Sequence, residues 1–260
     1  MGAVTLGPLT SRLKNIAAWT DQYPAGQDFA DESEVLLAYL DSQGALSRYL
    51  PRLRAKSQQR DEAINEIRVG HYFDSRGYPV VDWNEPEDAP GFNVEFAISL
   101  NATSRAYVEV KSPGWESELT EAERMQGRAR QPKYMGIEGR AAGPLQVIRH
   151  AVDKACPKFS GKVPSLIVIS DDCFVNVGEW GWGPMQMALT SSTIAYGEGL
   201  FLKPEYAVIG AVCVFRVVSY IGRPLEYQSL CVANPNALPG AVVPGEMVTR
   251  LSAKVINPNA

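Results

Sequence analysis

The sequence predicts an α/β protein built on a mixed sheet flanked by helices. Two patterns predict it. Strand-like and helix-like stretches alternate through the middle of the chain, and one short run there, Leu166 to Ile169, is wholly apolar and bounded by Pro164 and by Asp171 and Asp172, as a strand buried on both faces would be. At 260 residues, 45% of them hydrophobic, the chain can bury a sizeable core.

The elements follow in order. Two short helices are expected near Ser11 to Thr20 and Glu32 to Leu40, separated by a loop with Pro24, Gly26 and Asp28. They form an appendage over residues 1–50. From Ser57 to Arg76 there is no proline, and Ile64, Ile67, Val69, Tyr72 and Phe73 recur at helical spacing until Gly77 ends the pattern. Strands are expected at Tyr78 to Trp83, Phe92 to Leu100 and Arg105 to Lys111, the last two joined by a turn over Asn101 to Ser104. Pro113 to Gly143 is rich in charge, glycine and proline, and reads as a surface excursion with a helical turn or two at Leu119 to Met125. A helix from Pro144 to about Cys156 and the strand at Leu166 to Ile169 complete a core over residues 51–175. Residues 176–260 form a C-terminal strand extension packed on that core: a Gly178 to Gly183 loop, a short helix at Met185 to Thr190, and strands at Tyr206 to Tyr220 and Leu225 to Val232. Repeats and low-complexity tracts are absent from the sequence.

Composition narrows the function. A formal net charge of −4 supplies no general attraction to polyanions, so nucleic acid would need a local basic surface. Basic residues do cluster, at Arg48, Arg52, Arg54, Lys56 and Arg60, and again at Arg124, Arg128, Arg130, Lys133 and Arg140; alone they read as solvated faces. Cys156, Cys173, Cys213 and Cys231 lie far apart without a C-x-x-C pair, and are expected as buried reduced thiols. With only His71 and His150 beside them, a Cys/His zinc cage lacks suitably spaced ligands. The N-terminal residues lack the apolar segment of a signal peptide. The run from Tyr206 to Phe215 is about half the roughly 20 residues that span a bilayer. A cytoplasmic protein without a membrane partner is expected.

The chemistry gathers on two strands. Side chains alternate between strand faces, so Glu109 and Lys111 share a face and Val108 and Val110 take the other. Asn93 and Glu95 share a face likewise. A hairpin turn centred on Ala102 would set Glu95 opposite Glu109 and Asn93 opposite Lys111. Carboxylate and amide oxygens beside a lysine suit a hard divalent cation, Mg²⁺ or Mn²⁺. Bound metal can activate water and neutralise charge on a phosphate, while the lysine positions or deprotonates the water.

These pieces resemble the PD-(D/E)xK, or restriction-endonuclease-like, nuclease superfamily: Glu66 on the helix, Asn93-Val94-Glu95 on one strand, Glu109-Val110-Lys111 on the next, then a helix and the strand Leu166-Ile167-Val168-Ile169. The resemblance covers about Ser57 to Asp172. It implies a mixed central sheet flanked by helices and Mg²⁺- or Mn²⁺-dependent hydrolysis of nucleic acid, DNA before RNA. It also implies metal ligation by Glu95, Glu109, the Val110 carbonyl and Asn93, with Glu66 a further ligand, direct or through water. Glu109, Lys111, Glu95 and Glu66 form the expected catalytic set. Where the family has aspartate this chain has Asn93; Glu95, or Asp88 from the preceding loop, could substitute, and without either a nuclease fold that only binds nucleic acid or scaffolds proteins is the alternative. Glu62, one turn from Glu66, is its rival. Lys154, Lys158, Arg128 and Arg130 are the expected nucleic-acid contacts, though Lys154 and Lys158 read equally well as surface residues. A homodimer or larger protein assembly is compatible with all of this.

Overall fold

Helix signals at the N-terminal side are realised as three helices in the computed structural model, which describes residues 4–13, 26–55, 58–83, 86–112, 144–170, 182–192, 197–218, 225–252 and 255–256. They are α1 (Gly26–Ser42), α2 (Leu46–Leu53) and α3 (Gln58–Ser75). Sequence reading placed no helix at α2, which carries Pro51 inside it, a residue that forfeits a helical hydrogen bond. Burial of Leu46, Tyr49 and Leu53 on one face outweighs that loss. Gly77, at φ 84°, closes α3: its amide and that of Tyr78 return to the carbonyls of Asp74 and Phe73 at 2.9 Å each, a glycine-terminated helix end.

The strands are β1 (Val80–Asp82), β2 (Glu87–Ala89), β3 (Phe92–Asn93), β4 (Phe96–Ser99), β5 (Arg105–Lys111), β6 (Ser165–Ser170), β7 (Ala211–Val218), β8 (Glu226–Ala233) and β9 (Val255–Ile256). Seven form one sheet in the order β1-β4-β5-β6-β7-β8-β9, while β2 and β3 pair as a separate ribbon. The central strands β5, β6 and β7 run parallel, and the flanking pairs antiparallel. The fold is therefore α/β with a mixed sheet. Helices α4 (Pro144–Ala155), α5 (Trp182–Leu189) and α6 (Gly245–Leu251) complete it.

Alternation along the strands divides the core in two. Phe96, Ile98, Val108, Val110, Leu166 and Val168 pack with α1, α2, α3 and α6. Ala97, Tyr107, Ile167, Ile169, Val212 and Val214 pack with α4 and α5 on the other face. Each fully buried large apolar side chain contributes roughly 1.5–3 kcal/mol, so the sheet is held from both sides.

The N-terminal helices share one hydrophobic cluster with the sheet, and residues 176–260 contribute β7, β8 and β9 to it. Other expectations are corrected. Tyr206 to Val208, expected as the start of a strand, belong to the 3-10 helix Pro204–Val208, and β7 begins at Ala211. The expected strand Phe92 to Leu100 is broken: Val94 donates its amide to the Pro86 carbonyl (3.1 Å), and the sheet resumes at Phe96. Cys213 and Cys231, expected as reduced thiols, form a disulfide because the β7–β8 register sets them opposite one another, Cα atoms 4.0 Å apart; Cys156 is free. The expected helical turn at Leu119 to Met125, the glycine loop 178–181, Cys173 and most of the first expected helix (14–20) lie outside the described residues. No helix among the described residues is long and apolar enough to cross a membrane.

Candidate active site

The β4–β5 hairpin sets the site. Asn101 makes its turn, its side-chain oxygen accepting from the amides of Thr103 and Ser104 at 3.0 Å each, the local hydrogen bonding that favours asparagine in turns. The pairs Phe96↔Val108, Ala97↔Tyr107, Ile98↔Ala106 and Ser99↔Arg105 all centre on residue 102, as the sequence predicts. One residue beyond the Phe96–Val108 pair, Glu95 donates its amide to the Val108 carbonyl at 3.1 Å. Tyr107 packs on the α4 face, so alternation carries Glu109 and Lys111 to that face too.

Glu109 is fully buried. Its Oε1 accepts from Lys111 Nζ and from Lys158 Nζ, the latter at 2.7 Å, while its buried Oε2 has no hydrogen-bond partner among the described residues. Lys158 Nζ is also 4.0 Å from Glu95 Oε1. One ammonium nitrogen thus stands within 4.0 Å of both carboxylates, which sequence reading had placed on one face.

Glu66 reaches the site from α3, on the other side of the sheet. Its two carboxylate oxygens accept from the Arg52 guanidinium at 2.5 Å each, a bidentate pair. Burial raises the Glu66 pKa, Arg52 opposes that rise, and Glu62 adds to it. Glu62 is only half-buried, and Glu66, 3% exposed, is the inward residue of the two. Burial opposes the charge on Arg52, but Glu66 and Glu95 outweigh it and raise its pKa. The Tyr49 ring lies beneath that guanidinium, 5.8 Å away. Burial, with the charges of Glu66 and Glu95, drives its hydroxyl pKa far above the usual phenol range.

Glu95 sits between these groups. Burial, then the charges of Glu66 and Glu109, push its pKa up to about 8, against the pull of Lys158 and Arg52. A carboxyl whose pKa is raised in the folded state stabilises the fold most below its unfolded value, and that contribution is lost as pH rises through the folded value. In metal-free buffer the melting temperature is therefore expected to fall between about pH 4.5 and pH 8. Glu95→Gln should flatten this slope, which differential scanning calorimetry at matched pH values measures.

The remaining expected residues are placed as follows. Asn93 is exposed on the β2–β3 ribbon, opposite Glu87, and not opposite Lys111. The chain leaves the sheet at Val94, so strand alternation does not extend to residue 93. Asp88 substitutes for nothing at the site; its carboxylate accepts from the Ser160 amide and hydroxyl at 2.9 and 2.8 Å. Val110 turns its side chain into the core on the α3 face, and its backbone runs beside Val168 of β6. Lys154 is exposed on α4. Arg128 and Arg130 lie outside the described residues. Sequence reading missed Arg52 as a site residue, although it stood within the first basic cluster.

The donors fit a hard divalent cation in type: two carboxylates, that of Glu109 with a buried oxygen lacking a hydrogen-bond partner among the described residues, and that of Glu95, which burial and then its neighbours' charges disfavour as an anion. Mg²⁺ ordinarily takes one or two protein carboxylates and keeps several waters. Among the described residues no group of three Asp, Glu, His or Cys side chains is placed to hold an ion, and Glu66 is tied to Arg52. Comparison of the chain with family models, curated proteins and solved structures finds no match.

Proposed function

We propose that this chain is a divalent-metal-dependent nuclease of the restriction-endonuclease-like kind, an endonuclease acting on DNA before RNA. The observation that carries the reading is the meeting of Glu95 and Glu109 beside two lysine ammonium groups at the end of β5. Glu95 and Glu109 would hold Mg²⁺ or Mn²⁺, with the Val110 main-chain carbonyl and water completing its shell. An ion held there would supply an activated water and charge neutralisation at the scissile phosphate. Lys111, fixed on a strand and 23% exposed, orients that water and contacts the phosphate. Arg52 holds both carboxylate oxygens of Glu66 and so fixes that side chain in place. Lys158 brings a second positive charge to the mouth, and Lys154 extends it along α4.

The exposed position of Asn93 favours a second reading, a nuclease-fold module that binds nucleic acid or proteins without cutting. One experiment separates the two. With Mn²⁺ or Mg²⁺ the protein is expected to nick supercoiled plasmid, and the activity should disappear on chelation with EDTA; Mn²⁺ should also raise the melting temperature. Intact plasmid and single-stranded substrates, together with an unchanged melting temperature in millimolar Mn²⁺, would leave only the binding reading.

A further inference from the structure

Lys158 arrives at Glu109 from far along the chain, and its placement is built rather than incidental. It ends the 3-10 turn Cys156–Lys158 after α4. Phe159, the next residue, is buried among the residues of the α4 face. Ser160 is clamped by Asp88 through both its amide and its hydroxyl. The backbone is therefore held next to a side chain that remains 24% exposed.

The ammonium group fits its place incompletely. Lys111 and Lys158 both crowd onto Oε1 of Glu109, and Oε2, fully buried, has no hydrogen-bond partner among the described residues. Two donors meant as permanent partners of a buried carboxylate would engage both oxygens, since a buried acceptor without a partner is costly. Of the two lysines, only Lys158 lies against Glu95 as well, in the position that a shared ion would take.

Resting on the function proposed above, we infer that Lys158 is a built-in counter-cation standing in the place of the divalent ion, and that metal binding ejects it. A divalent ion bonds carboxylate oxygen at about 2.0–2.1 Å. An ammonium 2.7 Å from that same oxygen would then face a doubly charged neighbour at contact range, and the repulsion expels the mobile partner. Lys158, still protonated, swings towards solvent, where an incoming phosphate meets it. Metal arrival and substrate capture are thereby linked, and the carboxylates are kept neutralised until the ion comes.

Calorimetric titration of Mn²⁺ into the full chain tests this. Lys158→Met removes the competitor, and Mn²⁺ should bind about tenfold tighter or better than in the unsubstituted protein, a competition effect set by the lost like-charge repulsion. Equal or weaker affinity in the variant overturns the inference while leaving the nuclease reading intact. Binding by neither protein overturns both. If Lys158→Met does not fold, the unsubstituted protein answers: Mn²⁺ should raise acetylation of Lys158 severalfold by mass spectrometry, with exposed Lys154 unchanged as the internal standard. Labelling of Lys158 that ignores Mn²⁺ overturns the inference equally.

Discussion

Glu109→Gln is expected to abolish Mn²⁺ binding in calorimetry and to lower plasmid cleavage by roughly three orders of magnitude, the scale reached when an electrostatic centre of a reaction is removed. The side chain is fully buried and receives both lysines on one oxygen. Glutamine keeps its shape and deletes its charge, so the ion loses its most enclosed ligand while the strand stays packed. The lysines, 23% and 24% exposed, can turn to water, and the fold should survive the change. Lys111→Ala separates binding from chemistry: Mn²⁺ should still bind, and cleavage should still fail. Cleavage retained by Glu109→Gln at more than about a tenth of the unsubstituted rate would remove this residue from the reaction.

The site was legible where local rules decide geometry. The Asn101 turn and the alternation of Ala106 to Val110 placed the hairpin register, and with it Glu95 near Glu109. The same alternation misled at Asn93, because nothing in the pattern marks that the Val94 amide leaves the sheet for the Pro86 carbonyl. Lys158 stood in sequence as an expected nucleic-acid contact near a helix end, or equally as a surface lysine, and not as a partner of Glu109. Its position depends on a clamp between Asp88 and Ser160, 72 residues apart, and contacts of that range have no local signature. Arg52 was hidden for a related reason: Pro51 masks the helix that carries it. The pairing of Cys213 with Cys231 follows from the β7–β8 register, which spacing between the cysteines does not reveal.

The largest expected loss of stability lies away from the reaction, at Arg68. This residue and Glu32 are both about 3% exposed, and Arg68 donates to the two oxygens of Glu32 at 3.0 and 2.7 Å. Tyr227 of β8 donates its hydroxyl to Glu32 at 2.7 Å. Arg68 also donates to Asn65 at 3.2 Å, and Asn65 donates to the hydroxyl of Ser112, the residue after Lys111, at 3.1 Å. The network ties α1, α3, β8 and the end of β5 together. Taking two charges out of water makes such a pair a modest net stabiliser, but removing one partner leaves the other buried and uncompensated, at about 3–5 kcal/mol. Arg68→Ala should lower the unfolding free energy by that amount in urea titrations. Replacing both partners with apolar residues, Glu32→Leu with Arg68→Met, should recover more than half of the loss, because no stranded charge remains. A single variant within about 1 kcal/mol of the unsubstituted protein, the range of an exposed ion pair, would show that the N-terminal helices are held to the sheet by apolar packing alone.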